Sequence, residues 1–145
     1  MYNMSVVNIY LSGGMSGLSF AQQIGWRNKI IDEITSDDSL IFQPIFFNPP
    51  KYYSPALKLH QTEKEVMEFD LYNLRKSDVV IVNFNIPDSI GTAMELMLAK
   101  EYNIPVIGIN IGNKQIHSWL LECCSRMCES VEEAIDYVKN YYLIN

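Results

Sequence analysis

Ser77-Asp78-Val79-Val80-Ile81-Val82-Asn83-Phe84-Asn85-Ile86-Pro87-Asp88-Ser89-Ile90-Gly91-Thr92-Ala93-Met94-Glu95 decides the fold. Asp78 to Phe84 is a short, unbroken apolar run rich in β-branched residues, the pattern of a strand buried on both faces. A turn follows, and Gly91 to Glu95 opens a helix that runs from Ile90 to Tyr102. Upstream, Thr62 to Lys76 carries Val66, Phe69, Leu71, Tyr72 and Leu74, with Glu65 three residues after Thr62, which predicts a capped helix. Ser5 to Leu11 reads as a strand running into the turn Ser12-Gly13-Gly14. Phe20 to Ile34 has helical spacing behind an N-cap at Ser19. Leu40 to Phe47 is a second apolar run, stopped by Asn48-Pro49-Pro50, and Lys51 to His60 reads as a loop. Downstream come a strand at Pro105 to Ile109, a short helix at Ile116 to Leu121, a short strand at Arg126 to Cys128 and a helix over Val131 to Leu143.

Strands alternating with helices predict an α/β domain spanning residues 1–145, with about five mostly parallel strands and helices on both faces. Sheets of this kind bind ligands beyond the carboxyl ends of their strands, where the strand order reverses. Informative residues are therefore expected at 12–18, at 83–95 and after Ile109.

Composition narrows the function. The chain has 145 residues, 48% hydrophobic and 19% charged, with seven glycines and six prolines, which suits one globular domain. A net charge of -6 and the lack of any basic run speak against a nucleic-acid polymer as partner. A small nucleotide remains compatible, because a few backbone N–H groups can hold one phosphate. Cys123, Cys124 and Cys128 are an odd set with two adjacent members, unlike a disulfide framework, and the expected location is a reducing cytoplasm. No apolar stretch approaches the ~20 residues of a membrane span. His60 and His117 lie far apart, and no spacing of His, Cys and carboxylates points to a metal site, so neither metal nor cofactor is expected.

Two places could carry chemistry. Ser12 to Leu18 holds three glycines before a helix, where backbone can approach a ligand and the helix end attracts anions. It matches neither G-x-G-x-x-G nor a P-loop, and a plain strand-to-helix turn explains it equally well. Glu95 opens the helix after the Asn83–Ser89 turn, where the helix dipole alone would favour a carboxylate. Asp70, on the preceding helix, belongs to an otherwise solvated acidic face. Two carboxylates beside a glycine-rich pocket suit glycosyl transfer: one attacks the anomeric carbon, and another group manages the proton on the leaving atom.

Four segments together resemble the nucleoside 2-deoxyribosyltransferase superfamily, which includes deoxynucleotide N-glycoside hydrolases. They are Ile9-Tyr10-Leu11-Ser12-Gly13; Asp70-Leu71-Tyr72-Asn73-Leu74 with Ser77-Asp78-Val79-Val80; Ser89-Ile90-Gly91-Thr92-Ala93-Met94-Glu95; and Lys100 to Ile109. The resemblance implies a flavodoxin-like fold and Glu95 as a nucleophile forming a covalent glycosyl-enzyme. It implies Asp70 assisting the proton on the leaving nitrogen and Tyr10 orienting Glu95. Gly13 and Gly14 would line the sugar pocket, with Met15, Ser16 and Gly91 around them. It also implies a nucleoside or nucleotide substrate, an acceptor base for the transferase reaction, and a homodimer or larger homo-oligomer.

One departure concerns the sugar 5′ end. The transferases hold a 5′-hydroxyl with an Asp six residues before the nucleophile; here Ser89 stands there and Asp88 comes one earlier. The hydrolases are similar to this chain at that point, and a serine with loop N–H groups suits a phosphate. Ser118 is expected to add a further hydroxyl. Transfer to a base, hydrolysis of a 5′-monophosphate and a non-catalytic nucleotide-binding module are the three readings. A flavodoxin is disfavoured, because the first loop lacks a Ser/Thr-rich run.

Overall fold

Ile9, Val79, Ile81 and Ile107 are fully buried along three neighbouring strands, and the sheet they define sets the architecture. The computed structural model describes residues 4–54, 56–57 and 59–144. The element order is β1 (Val6–Gly13), α1 (Phe20–Thr35), β2 (Gln43–Phe47), α2 (Pro49–Tyr52), α3 (Glu63–Arg75), β3 (Val79–Asn83), α4 (Ile90–Glu101), β4 (Val106–Ile109), α5 (Ser118–Glu122), β5 (Arg126–Cys128) and α6 (Val131–Val138), followed by a π-helical turn at Lys139–Leu143. All four strand pairings are parallel, in the order β2-β1-β3-β4-β5. That is the flavodoxin-like order, whose switch point lies between β1 and β3. Among the described residues no helix is long and apolar enough to cross a membrane.

Side chains alternate across the sheet, as a period of two requires. Ile9 and Leu11 join Ile30 and Ile34 of α1 and Ala134, Ile135 and Val138 of α6 in one core. Tyr10 faces the other way, into a second core with Leu74 of α3 and Leu96 and Ala99 of α4. This alternation gives Tyr10 and Ser12 the same face as α3 and α4. Replacing the fully buried Ile81 in the central strand by Ala removes packing on the α1/α6 side. Ile81→Ala is expected to cost about 2–5 kcal/mol, read as a lowered urea midpoint; a loss under about 1 kcal/mol would contradict this placement of the core.

Four sequence expectations shift in place. β1 does not stop at Leu11: Leu11, Ser12 and Gly13 pair with Ile81, Val82 and Asn83, so the ladder carries the glycine. β2 starts at Gln43, because the N–H groups of Ile41 and Phe42 donate to the Leu143 carbonyl at 2.9 and 3.1 Å. The segment expected as a loop from Lys51 begins with the tail of a helical turn at Pro49–Tyr52, where a proline at the start costs no hydrogen bond. The final helix is α-helical only to Val138; the wider turn beyond it has the Ile144 N–H donating to the Lys139 carbonyl at 2.9 Å and Leu143 fully buried.

Candidate active site

β1 and β3 end side by side, at Gly13 and Asn83, and the loops leaving them diverge. The first loop is pinned to the second. The Gly14 N–H donates to Asn85 Oδ1 at 2.9 Å, and Asn85 Nδ2 donates back to the Gly14 carbonyl at 3.3 Å. A Cβ on Gly14 would come within 2.7 Å of Ile86, so the close approach of the two loops requires glycine there. α4 then starts at Ser89, whose Oγ accepts from the Thr92 N–H at 3.3 Å.

Between these loops and α3 lies a cavity of about 370 Å³, lined in part by Gly13, Met15, Ser16, Arg27, Asp70 and Glu95. Glu95 is held from the strand beneath it. The Tyr10 hydroxyl donates to Oε2, and Ser12 Oγ donates to Oε1 at 3.0 Å. On the α3 side, Asp70 Oδ1 accepts a hydrogen bond from the Tyr53 hydroxyl. Each carboxylate thus has a tyrosine donor. The rings are joined as well: Phe47 stacks on Tyr10 at 5.3 Å and on Tyr52 at 5.2 Å between centroids.

The electrostatics follow from enclosure. Burial pushes the Glu95 carboxyl up to about 7, with repulsion from Asp70 in the same direction, against the pull of the Tyr10 and Ser12 donors and of Arg27. Burial raises Asp70 to about 6, opposed by the Tyr53 hydrogen bond and Arg27. Tyr10 is raised well above the usual phenol range, first by burial and then by the Glu95 and Asp70 charges, so it stays a donor. Arg27 is 1% exposed, and burial lowers it to about 10, which leaves it a cation at neutral pH. Its Nε donates to the Leu11 carbonyl at 3.3 Å and its Nη2 to the Gly13 carbonyl at 3.2 Å, while Nη1 donates to the Gln23 carbonyl. It is a buried positive charge behind two half-buried carboxylates.

Tyr10, Asp70 and Glu95 are brought together, and Gly13, Met15, Ser16, Ser89 and Gly91 reach the same cavity. Gly14, Asp88 and Ser118 do not line it. Gly14 is buried under Ile86. Asp88 lies on the far side of Ser89, in a larger cavity of about 1090 Å³ that also touches Met97, His117 and Trp119. The larger space holds neither Glu95 nor Asp70, so the smaller one is the candidate site. Ser118 is exposed at the start of α5. Three side chains act in ways the sequence did not point to: Ser12, which stood only as part of the glycine loop, Tyr53, whose ring suited stacking on a base and whose hydroxyl meets Asp70 instead, and Arg27. Arg27 had a signal, since it sits where the Ile30 and Ile34 stripe calls for an apolar side chain. Among the described residues, no group of three His, Cys, Asp or Glu side chains could hold a metal ion.

No protein-family model matches the chain, and no curated protein matches it. Solved structures do. A 2-deoxyribosyltransferase from Bacillus psychrosaccharolyticus superposes with a TM-score of 0.71 at 16% identity, covering 90% of this chain and 92% of that one. A conserved protein from Enterococcus faecalis V583 gives 0.70 at 15%, covering 94% and 99%. The CMP N-glycosidase BcmB of Clostridium botulinum gives 0.56 at 12%, covering 92% and 99%. The chain therefore shares the flavodoxin-like α/β fold of these structures, a 2-deoxyribosyltransferase and a CMP N-glycosidase among them.

Proposed function

We propose that the chain cleaves the N-glycosidic bond of a (deoxy)nucleoside through a covalent glycosyl-Glu95 intermediate and passes the sugar to another base. One observation carries this: a carboxylate oriented through both oxygens, by Tyr10 and Ser12, at a cavity that a second, half-buried carboxyl group also lines. A nucleophile fixed in this way has little orientation left to lose on reaction. Glu95 bonds to the anomeric carbon as the C–N bond breaks, and the bond's electron pair leaves on the base nitrogen. Asp70 supplies the proton that makes the base neutral. The two hydroxyl donors spread the Glu95 charge without neutralising it, and Arg27 offsets the second negative charge. A second base then attacks the glycosyl ester, gives its N–H proton to the Asp70 carboxylate, and restores the Glu95 carboxylate as the ester C–O bond breaks.

Hydrolysis of a nucleoside 5′-monophosphate is the second reading, and a specific feature favours it. Ser89 and the N-terminus of α4 open on the cavity, while Asp88 is turned into the neighbouring space. A helix N-terminus with a serine cap attracts a phosphate, and no Asp stands at residue 89 to repel one. Both readings share the first half-reaction. Deoxynucleosides and their monophosphates, each incubated with and without a free acceptor base, separate them by chromatography. New nucleoside supports transfer, free base alone supports hydrolysis, and no turnover of any substrate favours a binding module.

The two raised carboxyls also fix a pH dependence. Between about 6 and 7 the pair holds one proton, which rests mostly on Glu95; the working form is the arrangement of that one-proton state with the proton on Asp70 and Glu95 ionised. It is lost below about 6, when the pair holds two protons, and above about 7, when it holds none. The expected profile of kcat/KM is a narrow bell with its maximum between those values. A plateau running from pH 5 to 9 would contradict the pairing.

A further inference from the structure

We infer that Tyr53 is a positioning residue for the proposed acid: by donating its hydroxyl to Asp70 Oδ1, it confines the transferable proton to Oδ2. This inference rests on the reading of Asp70 given above. A protonated carboxyl carries one hydrogen, and either oxygen can hold it. Oδ1 already accepts the Tyr53 hydrogen bond, so a proton there would set two donors against each other. Oδ2 is left as the donor toward a leaving base. Once the proton has moved, the same hydroxyl stabilises the carboxylate left behind, because a hydrogen bond to an ionised acceptor is stronger than one to a neutral acceptor.

The tyrosine is itself held in place. Its backbone N–H donates to the Pro50 carbonyl at 3.1 Å, just beyond α2. The His60 ring packs edge-on against it at 5.3 Å. The Val66 carbonyl lies 3.4 Å from the hydroxyl as its other acceptor, so the group sits against α3 whichever way its hydrogen turns. α2 therefore borders the cavity through Pro49, and the residue after it touches Asp70 through the Tyr53 hydroxyl. The neighbouring Tyr52 lacks such a role, as its ring packs between Phe47 and Phe69.

Tyr53→Phe keeps the ring and removes the donor. The test compares two substrates between pH 6 and 7, at the maximum of the bell, where the carboxyl pair of the unsubstituted protein holds one proton. 2′-Deoxyadenosine leaves as a neutral base only if it is protonated. 7-Methyl-2′-deoxyguanosine carries a cationic base that leaves without a proton. In the variant, the ratio of adenine release to 7-methylguanine release is expected to fall about tenfold, the low end of a displaced acid's effect. The alkaline limb of the pH profile is expected to move up, because the lost donor had favoured the ionised form. The groups that act on Asp70 and remain are Arg27, Glu95 and Tyr10, with Glu63 on the same cavity wall. An equal loss on both substrates, an unchanged ratio or an unmoved limb would overturn the inference. A drop in melting temperature with an unchanged ratio would assign Tyr53 a structural role only. Failure of the unsubstituted protein to release either base would instead reject the proposed function itself.

Discussion

Glu95→Gln is expected to reduce base release by at least about 10⁴-fold, to the level of the blank, because the amide cannot form the glycosyl ester on which both half-reactions depend. The fold is expected to survive. Gln keeps the size and can still accept from Tyr10 or Ser12 through its carbonyl oxygen, and Leu96 and Ala99 on the same helix keep their packing. Stability should even rise in one pH range. The Glu95 carboxyl is raised in the folded chain, so the folded state binds more protons than the unfolded one between about 4.5 and 7. Stability is therefore lost as pH increases through that window and stays lost above it. A glutamine has no such proton to lose. The variant should gain on the order of 2–3 kcal/mol over the unsubstituted protein at pH 8 and nothing below pH 4. Denaturant titrations at the two pH values check this, and an equal difference at both would show that residue 95 does not titrate in the folded chain as described.

Asp70→Asn carries the second large effect. The variant can donate a hydrogen bond to the leaving base but cannot surrender a proton, so release of an unmodified base should fall by about 10²–10⁴-fold in kcat. The loss should shrink for bases that leave easily. It should also remove one side of the pH bell, because the pair then holds a single titrating carboxyl. Single-turnover rates over pH 5 to 9 measure both. A variant with unchanged kcat and a raised KM would place Asp70 in binding rather than in proton transfer.

Much of the fold was legible because its signals are local. The unbroken run Val79–Val82 announces a strand buried on both faces, and the N-cap at Ser19 and the capping box at Thr62 form as expected, the former completed by Gln22. The strand ends were less legible, because partners distant in sequence set them. Gly13 stays in the ladder through Asn83, and Phe42 leaves it for Leu143. The site divides the same way. Tyr10 and Glu95 stood on recognisable motifs. Ser12 needed the knowledge that β1 continues past Leu11, since only then does it share a face with Tyr10. Tyr53 sits in a stretch without periodicity, and its hydroxyl meets Asp70 only because Pro49 and Pro50 are buried and turn the chain back over α3. Ser118 and Asp88 carried the right chemistry in the sequence, but the folded chain directs both away from Glu95.

The account as a whole rests on a bond between a sugar and one oxygen of Glu95. A 2′-deoxy-2′-fluoroarabinosyl nucleoside slows breakdown of such an ester and lets it accumulate. Intact-protein mass spectrometry should then show one added glycosyl group, and peptide mapping should place it on Glu95. Base release from ordinary substrate with no adduct at Glu95, or with the adduct on another residue, would contradict the account.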